Sequence, residues 1–474
     1  MNIILLVSDT FRYDNLFDRS EVMPVRTPEL DRFGERAVSC ENTWVSSFPT
    51  IPHRTDLTTG RVGWPWYPWQ DRRRSSPNHL PQLLAQGGRG TVSQLLCDCP
   101  HLFKAAFPFG FTAAVQTRGQ EGDVFFTRMN RPIEPAMPRE KTRLTSKLGD
   151  HGLVDISKWI NPFWHREIDR FAPRTALLAN EWLEENYEYE PFLLWVDFFD
   201  PHEPWDPPEY MVRRYDPGYD GPPMLHPNYG RSSDYTEPEL RNLRAHYAAE
   251  AELVDRWAGR VLQKIDDLGL WENSIVVFTS DHGFSIGEHE RAGKSNISAG
   301  DDRYWPIYPE VAHVPLMIAA PGLEGGRSVD AIVQPQDIAP TLLELAGVEV
   351  EPPEPFHGVS FAPMLRGEEQ PPIRDLAVSA HFLRADGGRV PECATTPMVY
   401  TERWAYAPIG AAGERELYDR SADRGCDANV AADHPDVCDE LHARLLGWLD
   451  EVGAPEEAYA PFRPADVEVS GGEA

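Results

Sequence analysis

Asn2-Ile3-Ile4-Leu5-Leu6-Val7-Ser8-Asp9 opens the chain with five consecutive apolar residues and closes on a carboxylate. An apolar run without polar alternation suits a strand covered on both faces. The same pattern returns twice. Pro191-Phe192-Leu193-Leu194-Trp195-Val196 ends at Asp197 and leads into Asp200-Pro201-His202, and Ser274-Ile275-Val276-Val277-Phe278-Thr279 leads into Asp281-His282-Gly283. Helical spacing precedes the second and third runs, over residues 175–187 and 238–268. In the longer helix Leu243, Tyr247, Ala251, Val254, Ala258 and Leu262 recur at helical intervals. Helices alternating with all-apolar strands predict an α/β fold: a doubly wound, mostly parallel sheet with helices on both faces.

In open α/β sheets ligands bind outside the carboxyl ends of the strands. One strand-end Asp reads most simply as a cap or turn former; three on one edge point to a metal or catalytic site. Residues 61–150, rich in Pro, Trp and Arg, and a Pro/Tyr-rich stretch over 204–235 are long for connections and read as lids or insertions. A weak boundary near residue 370 divides a catalytic domain, 1–370, from a smaller α+β C-terminal subdomain, 371–474. That subdomain includes a last helix over 437–452 and a tail, 464–474, expected to fray.

Composition limits the partners. Across 474 residues, 75 acidic against 45 basic side chains give a net charge of −30. This disfavours nucleic acid, which needs a basic footprint, and anionic membranes. At 41% hydrophobic and 11% aromatic, the chain has ample material for a core. Only six of the basic residues are lysine. Such an Arg-rich, acidic surface suits a salt-rich cytoplasm in which counterions screen self-repulsion, although GC-rich codon usage gives the same bias. Ile3–Val7 is too short for a signal-peptide core or a membrane span. The six cysteines lack zinc-ribbon spacing, and Cys97-Asp98-Cys99 is too tight for a routine disulfide. All six read as reduced thiols of a cytoplasmic protein, with a homo-oligomer left open.

The most specific local signal is Pro49-Thr50-Ile51-Pro52-His53-Arg54-Thr55-Asp56-Leu57-Thr58-Thr59-Gly60. It resembles the signature of the sulfatase family in the alkaline phosphatase superfamily, which runs Cys or Ser, any residue, Pro, Ser, Arg, then Leu-Thr-Gly after a short spacer. Thr50 takes the nucleophile position, Pro52 the proline and Arg54 the arginine. Further segments follow in the family's order: Asp9 after the opening strand, Asp200-Pro201-His202-Glu203-Pro204-Trp205, Ser280-Asp281-His282-Gly283, Gly287-Glu288-His289 and Lys294. His313-Val314-Pro315-Leu316, Asp337-Ile338-Ala339-Pro340-Thr341, His357-Gly358-Val359-Ser360 and Glu416-Leu417-Tyr418-Asp419 complete the set. The resemblance covers residues 1–419 and implies an alkaline phosphatase-like fold.

The departures carry their own chemistry. Sulfatases oxidise the nucleophile Cys or Ser to formylglycine. Thr50 carries a methyl on Cβ, so the same oxidation would give a ketone, which excludes formylglycine here. His53 replaces the Ser of the signature. Thr10 stands where sulfatases usually have a second Asp, so the site loses one anionic ligand. A free threonine hydroxyl is a poor nucleophile, and a bound divalent cation is what lowers such a pKa. The resemblance assigns that ion to Asp9, Thr10, Asp281 and His282, with Thr50 completing the shell. Two Asp and one His suit manganese, zinc or magnesium better than calcium. A second metal would need Asp200, His202 and His357, and a single ion is the favoured reading. Thr50 also reads as a plain helix cap before Pro52.

Arg54, Lys294 and His202 are the expected holders of the non-bridging oxygens. His101 and Lys104 fall where sulfatases carry a Lys-x-His pair, here reversed and more widely spaced. His289 is a candidate acid for the leaving group, and Arg118 in the polar loop 118–123 a candidate pocket residue. The expectation is a metal-dependent hydrolase of a small anionic phosphate or phosphonate ester, a diester in particular, working through a covalent Thr50 ester. A sulfuric ester hydrolase without formylglycine and a phospho- or sulfo-group transferase are the alternatives. A non-catalytic binding relative fits poorly with so many site residues intact.

Overall fold

The computed structural model describes residues 1–66, 69–121, 123, 130–142, 151–295, 301–381 and 395–463. The tail expected to fray, Cys393 and part of the 118–123 loop lie outside the described residues. The strands of its two larger sheets are β1 (Asn2–Ser8), β2 (Val38–Thr43), β3 (Ser47–Phe48), β4 (Val92–Cys97), β5 (Ala113–Gln116), β6 (Phe192–Phe198), β7 (Ser274–Ser280), β8 (Leu316–Ala319) and β9 (Arg327–Val333), followed by β10 (Ala377–His381), β11 (Met398–Tyr400), β12 (Trp404–Ala407) and β13 (Glu416–Asp419). The main sheet has eight strands in the order β9-β2-β8-β7-β1-β6-β4-β5. From β7 through β5 every pairing is parallel, and β8 runs antiparallel to both β7 and β2.

Residue parity along β1 shows why the sheet is wound on both faces. Ile4 and Leu6 join a core with the helices α3 (Phe171–Asn186) and α4 (Glu237–Asp267). Ile3, Leu5 and Val7 point the other way, into a core with α1 (Thr50–Thr59) and α5 (Ile338–Leu345). Successive side chains of a strand alternate between faces, so five apolar residues in a row serve two cores at once. The expected helices appear within a few residues of their predicted bounds; α4 begins with a Thr236–Glu239 capping box, its Pro in the first turn.

Within residues 61–150, the part from 92 to 116 belongs to the main sheet rather than to an insertion. It supplies β4 and β5 and the short helix α2 (Pro100–Lys104). The strand signal is weak because Ser93 and Gln94 interrupt the apolar run, although both are buried. The 204–235 stretch likewise contains a helix, Glu209–Tyr215, packed beside α4.

A second sheet, ordered β13-β12-β11-β10-β3, joins the C-terminal region to the residues just before Thr50. There Ala380 and His381 pair in parallel with Ser47 and Phe48. The last helix, α6 (Pro435–Glu451), covers this sheet through Leu441, Leu445 and Leu449. Among the described residues no helix is long and apolar enough to cross a membrane. Cys40, Cys97, Cys99, Cys426 and Cys438 are buried free thiols.

Candidate active site

Register brings the carboxylates together. Ser8 pairs with Ser280 across β1 and β7, so Asp9 and Asp281 leave adjacent parallel strands at the same level. The turn that follows is held open in an unusual conformation. Thr10 sits at φ 64, a region that non-glycine residues rarely occupy. Its carbonyl accepts from Tyr247 Oη at 2.9 Å, and the next amide, Phe11, donates to Ser280 Oγ at 2.9 Å. In this conformation the Thr10 amide donates to Asp281 Oδ1 at 2.9 Å and its hydroxyl to Asp9 Oδ1 at 2.8 Å. Thr10 therefore ties the two carboxylates to each other.

Helix α1 starts at Thr50 itself. Pro49 occupies the cap position and no side chain caps the end, so Thr50 is not a cap residue and its hydroxyl is not needed for that purpose. The helix N-terminus is pinned by Asp56, whose Oδ2 accepts from Ser46 Oγ at 2.5 Å and the Ser47 amide at 3.0 Å. At its far end Gly60, at φ 67, closes the helix against Phe356, which a Cβ would strike at 2.4 Å. The Gly60 carbonyl accepts from the amides of His357 and Gly358, and His357 Nδ1 accepts from Val62 N at 3.1 Å. His357 thus supports the helix end rather than a second ion. Asp200 is likewise engaged, by Gln120 Nε2 and the Ala172 amide.

Arg54, fully buried, reaches from α1 to three carboxylates. Its Nε and Nη2 grip Asp197 at 2.8 Å each, and Nη1 contacts Asp281 at 2.5 Å, Asp9 at 3.1 Å and the Thr50 carbonyl at 3.2 Å. The expectation that Arg54 holds substrate oxygens narrows accordingly: it positions the acidic cluster and the first turn of α1, and of its five N–H groups only the second on Nη2 is left to meet a substrate oxygen. Asp197 is also reassigned. It pairs with Val7, two residues before Asp9, and β6 continues to Phe198. By parity its side chain faces α1, where Arg54 is.

Asp9, Asp281 and His282 form the one group among the described residues that could hold a metal ion, with ligand atoms within 4.8 Å of one another. His282 Nδ1 donates to the Gly283 carbonyl at 3.0 Å, which leaves Nε2 as the free acceptor. That Nε2 is buried without a hydrogen-bond partner, 3.8 Å from Asp9 and 3.6 Å from Asp281. A backbone carbonyl fixing the far nitrogen is the usual arrangement for a metal-binding imidazole. Burial lowers the His282 pKa to about 3 despite Asp281, keeping the ring neutral as a ligand must be. Burial and the neighbouring Asp281 push Asp9 well up. Burial acts on Asp281 in the same sense, but His282 and Arg54 outweigh it and hold Asp281 low. Two carboxylates and an orphaned neutral imidazole are what a divalent cation would satisfy.

On the other side stand Lys294, 6% exposed, with Nζ 3.5 Å from Thr10 Oγ1, and His202. His202 Nδ1 donates to the Glu203 carbonyl at 2.7 Å, and its ring stacks on Phe199 at 4.0 Å. Between them is a residue unassigned by the sequence reading. Glu203 Oε2 lies 3.8 Å from Lys294 and 3.5 Å from His202, and Tyr229 Oη donates to Oε1. Burial alone would raise the Glu203 pKa, but His202 and Lys294 bring it down to about 2. His53, three residues beyond Thr50, is 1% exposed, with neither ring nitrogen hydrogen-bonded.

The remaining candidates lie elsewhere. His101 pairs with Glu121 at 2.8 Å and touches Phe199 edge-on, one ring away from His202. Lys104 is exposed at the end of α2. Arg118, half exposed, pairs with Asp123. His289 is not placed to protonate a leaving group: Nδ1 meets Glu310 at 3.0 Å, Nε2 meets the Cys426 carbonyl at 3.0 Å, and the ring stacks on Tyr308.

Residues 136–348 match the Sulfatase family model, and residues 300–451 match the model for the C-terminal region of N-sulphoglucosamine sulphohydrolase. The first includes Asp281, His282 and Lys294; Asp9, Thr50 and Arg54 precede it. Arylsulfatase K of Xenopus laevis is 28% identical over 48% of this chain and 41% of its own length. The chain thus spans about two fifths of the length of the first curated relatives it matches. The canine arylsulfatase K (Canis lupus familiaris) aligns over 95% of this chain and 82% of its own, at 23% identity. In fold, the chain resembles a phosphonate monoester hydrolase of Agrobacterium radiobacter, with a TM-score of 0.72 and 23% identity over 95% of this chain and 96% of that one. By sequence the chain is related to the sulfatases, and its architecture is theirs.

Proposed function

We propose that this chain is a sulfatase-family, metal-dependent hydrolase of singly charged esters, a phosphonate monoester or phosphate diester above all, acting through a covalent Thr50 intermediate. The observation that carries the reading is the placement of Thr50: first residue of an uncapped helix, its carbonyl held by the arginine that also binds Asp9 and Asp281. A helix N-terminus favours both an ionised nucleophile and the anion it attacks.

Asp9, Asp281 and His282 would hold the ion, which when bound lowers the pKa of a coordinated hydroxyl and neutralises charge on the transferring group. Thr50 Oγ1 would attack in line. Lys294 would hold the non-bridging oxygens on the opposite side; His202, neutral with its proton on Nδ1, offers Nε2 only as an acceptor, so water would protonate the leaving group.

Charge favours a monoanion. Asp9, Asp197, Asp281 and Glu203 against Arg54 and Lys294 leave two negative charges, which one divalent cation cancels. A neutral buried site accepts one further negative charge far more readily than two. Sulfate esters are also monoanions, and the matches to sulfatase models support a sulfate ester as the second reading. Phosphorus is preferred because Thr50 cannot become formylglycine. The fold neighbour named a phosphonate monoester hydrolase gives that preference a precedent.

The test is a panel of para-nitrophenyl phosphonate, phosphate diester, phosphate monoester and sulfate, each with manganese, zinc, magnesium or calcium at high KCl. The phosphonate or diester should be turned over fastest, and Thr50→Ala should abolish turnover. A dominant sulfate rate would transfer the assignment to the second reading.

A further inference from the structure

We infer that Tyr247 is a positioning residue of the metal site, acting through the turn at Thr10; the inference rests on the reading of Asp9, Asp281 and His282 as ligands of an ion. In the sequence Tyr247 belongs to the apolar stripe of α4, between Leu243 and Ala251, where packing alone asks only for an apolar side chain. Its hydroxyl is what the stripe does not account for.

That hydroxyl, on a residue with no exposed surface, uses its one donor and both acceptor positions. It donates to the Thr10 carbonyl at 2.9 Å and accepts from the Arg12 amide at 3.1 Å and from Asn15 Nδ2 at 3.0 Å. One phenol thus brackets Phe11 from both sides and fixes the turn that follows Asp9. Burial pushes its pKa up, so it remains a donor.

The turn needs such a clamp. Thr10 sits at φ 64, where a β-branched side chain is a genuine outlier that persists only if its surroundings hold it. Relaxation would turn the Thr10 amide away from Asp281 Oδ1 and its hydroxyl away from Asp9 Oδ1. The same hydroxyl is 3.5 Å from Lys294 Nζ. Next along the chain, the Phe11 amide reaches Ser280 Oγ, which donates in turn to the His282 carbonyl at 3.0 Å. All three candidate ligands are therefore coupled to residues 10 and 11, and the Tyr247 oxygen ties that backbone to α4. Losing a group that orients metal ligands typically costs about 10–100-fold in affinity.

The experiment titrates chelator-treated protein with manganese, zinc, magnesium and calcium by isothermal calorimetry, compares variants on the ion the parent binds most tightly, and records each metal-free Tm by scanning fluorimetry. Tyr247→Phe keeps the ring, which meets Trp205 edge-on, and should bind the ion about tenfold more weakly. In the Thr10→Gly background, where the left-handed conformation is no longer strained, the same change should cost less than about twofold. Thr10→Val, which leaves Tyr247 in place and removes only the hydroxyl on Asp9, should also bind about tenfold more weakly. A lowered Tm with unchanged affinity in Tyr247→Phe would make its role structural only and overturn the inference. Equal losses from Tyr247→Phe with and without Thr10→Gly, or parental affinity in Thr10→Val, would overturn the route through Thr10. A parent that binds none of the four ions would overturn the metal reading itself and this inference with it.

Discussion

Adding a divalent cation should stabilise this protein, and Asp281→Asn should remove most of that effect. Even with Arg54 the buried cluster is short of positive charge: Asp9 is pushed toward its protonated form, and His282 Nε2 has no partner. An ion bound only by the folded chain contributes about 2.7 kcal/mol at a concentration of 100 times its Kd. Unfolding entropy near 60 °C is about 2.1 cal/mol/K per residue, or about 1 kcal/mol/K for a chain of this size, so Tm should rise by about 3 °C. Asp281→Asn keeps the side chain's size but removes one of two anionic ligands, along with the acceptor for Thr10 N and Arg54 Nη1. If affinity falls about 100-fold, the same concentration only matches the new Kd, leaving about 0.4 kcal/mol and less than 1 °C. Differential scanning fluorimetry of chelator-treated protein against manganese, zinc, magnesium and calcium reads both numbers. The parent shift should also grow with pH, because the cation must displace the proton that burial keeps on Asp9. Equal shifts in parent and variant, or no shift with any of the four ions, would refute the site.

Other perturbations test separate parts of the argument. Glu203→Gln removes a carboxylate 3.8 Å from Lys294. For charges about 6 Å apart at an effective dielectric of about 20 the repulsion lifted is about 3 kcal/mol, so kcat/KM for a dianionic phosphate monoester should rise at least tenfold relative to a monoanionic phosphonate. An unchanged ratio would remove Glu203 from the charge balance. For His289, burial would lower the pKa but Glu310 raises it to about 9, above its ordinary 6.5. Its contribution to stability should be complete below about pH 6.5 and fade as pH rises through 9; at full strength it is about 3 kcal/mol. The Tm deficit of His289→Gln should therefore be large at pH 6 and small at pH 10, and a deficit independent of pH would contradict the protonated clamp. Finally, Tm should climb with KCl as the charge of −30 is screened; a flat response would show that the surface is not adapted to salt.

What the sequence disclosed, and what it did not, follows from the kind of signal each residue sends. Asp9, Asp281 and His282 are legible because strand ends converge in a parallel sheet, a rule that needs only the apolar runs. Strands β4 and β5 send no such signal, since buried Ser93 and Gln94 look like surface residues until their neighbours are known. Glu203 is hidden for a similar reason: a glutamate between a histidine and a proline reads as solvated loop, and only the fold encloses it with Lys294 and Tyr229.

Asp197 and Arg54 show how one such blind spot changes the chemistry. Counting Asp197 as a strand-end ligand leaves Arg54 free to meet the substrate. Registering Asp197 against Val7 instead puts it under α1, where it takes both Nε and Nη2 of that arginine. With Nη1 committed to Asp9 and Asp281, the second hydrogen on Nη2 is the one Arg54 donor left for an incoming oxygen. The charge of Arg54 is thereby balanced by three carboxylates, and that of Lys294 is shared with Glu203. A site that supplies so little spare positive charge beyond its cation is poorly suited to a dianion and well suited to a monoanion. The proposed preference for a singly charged ester thus rests less on the threonine that replaces the usual nucleophile than on where a buried arginine is engaged.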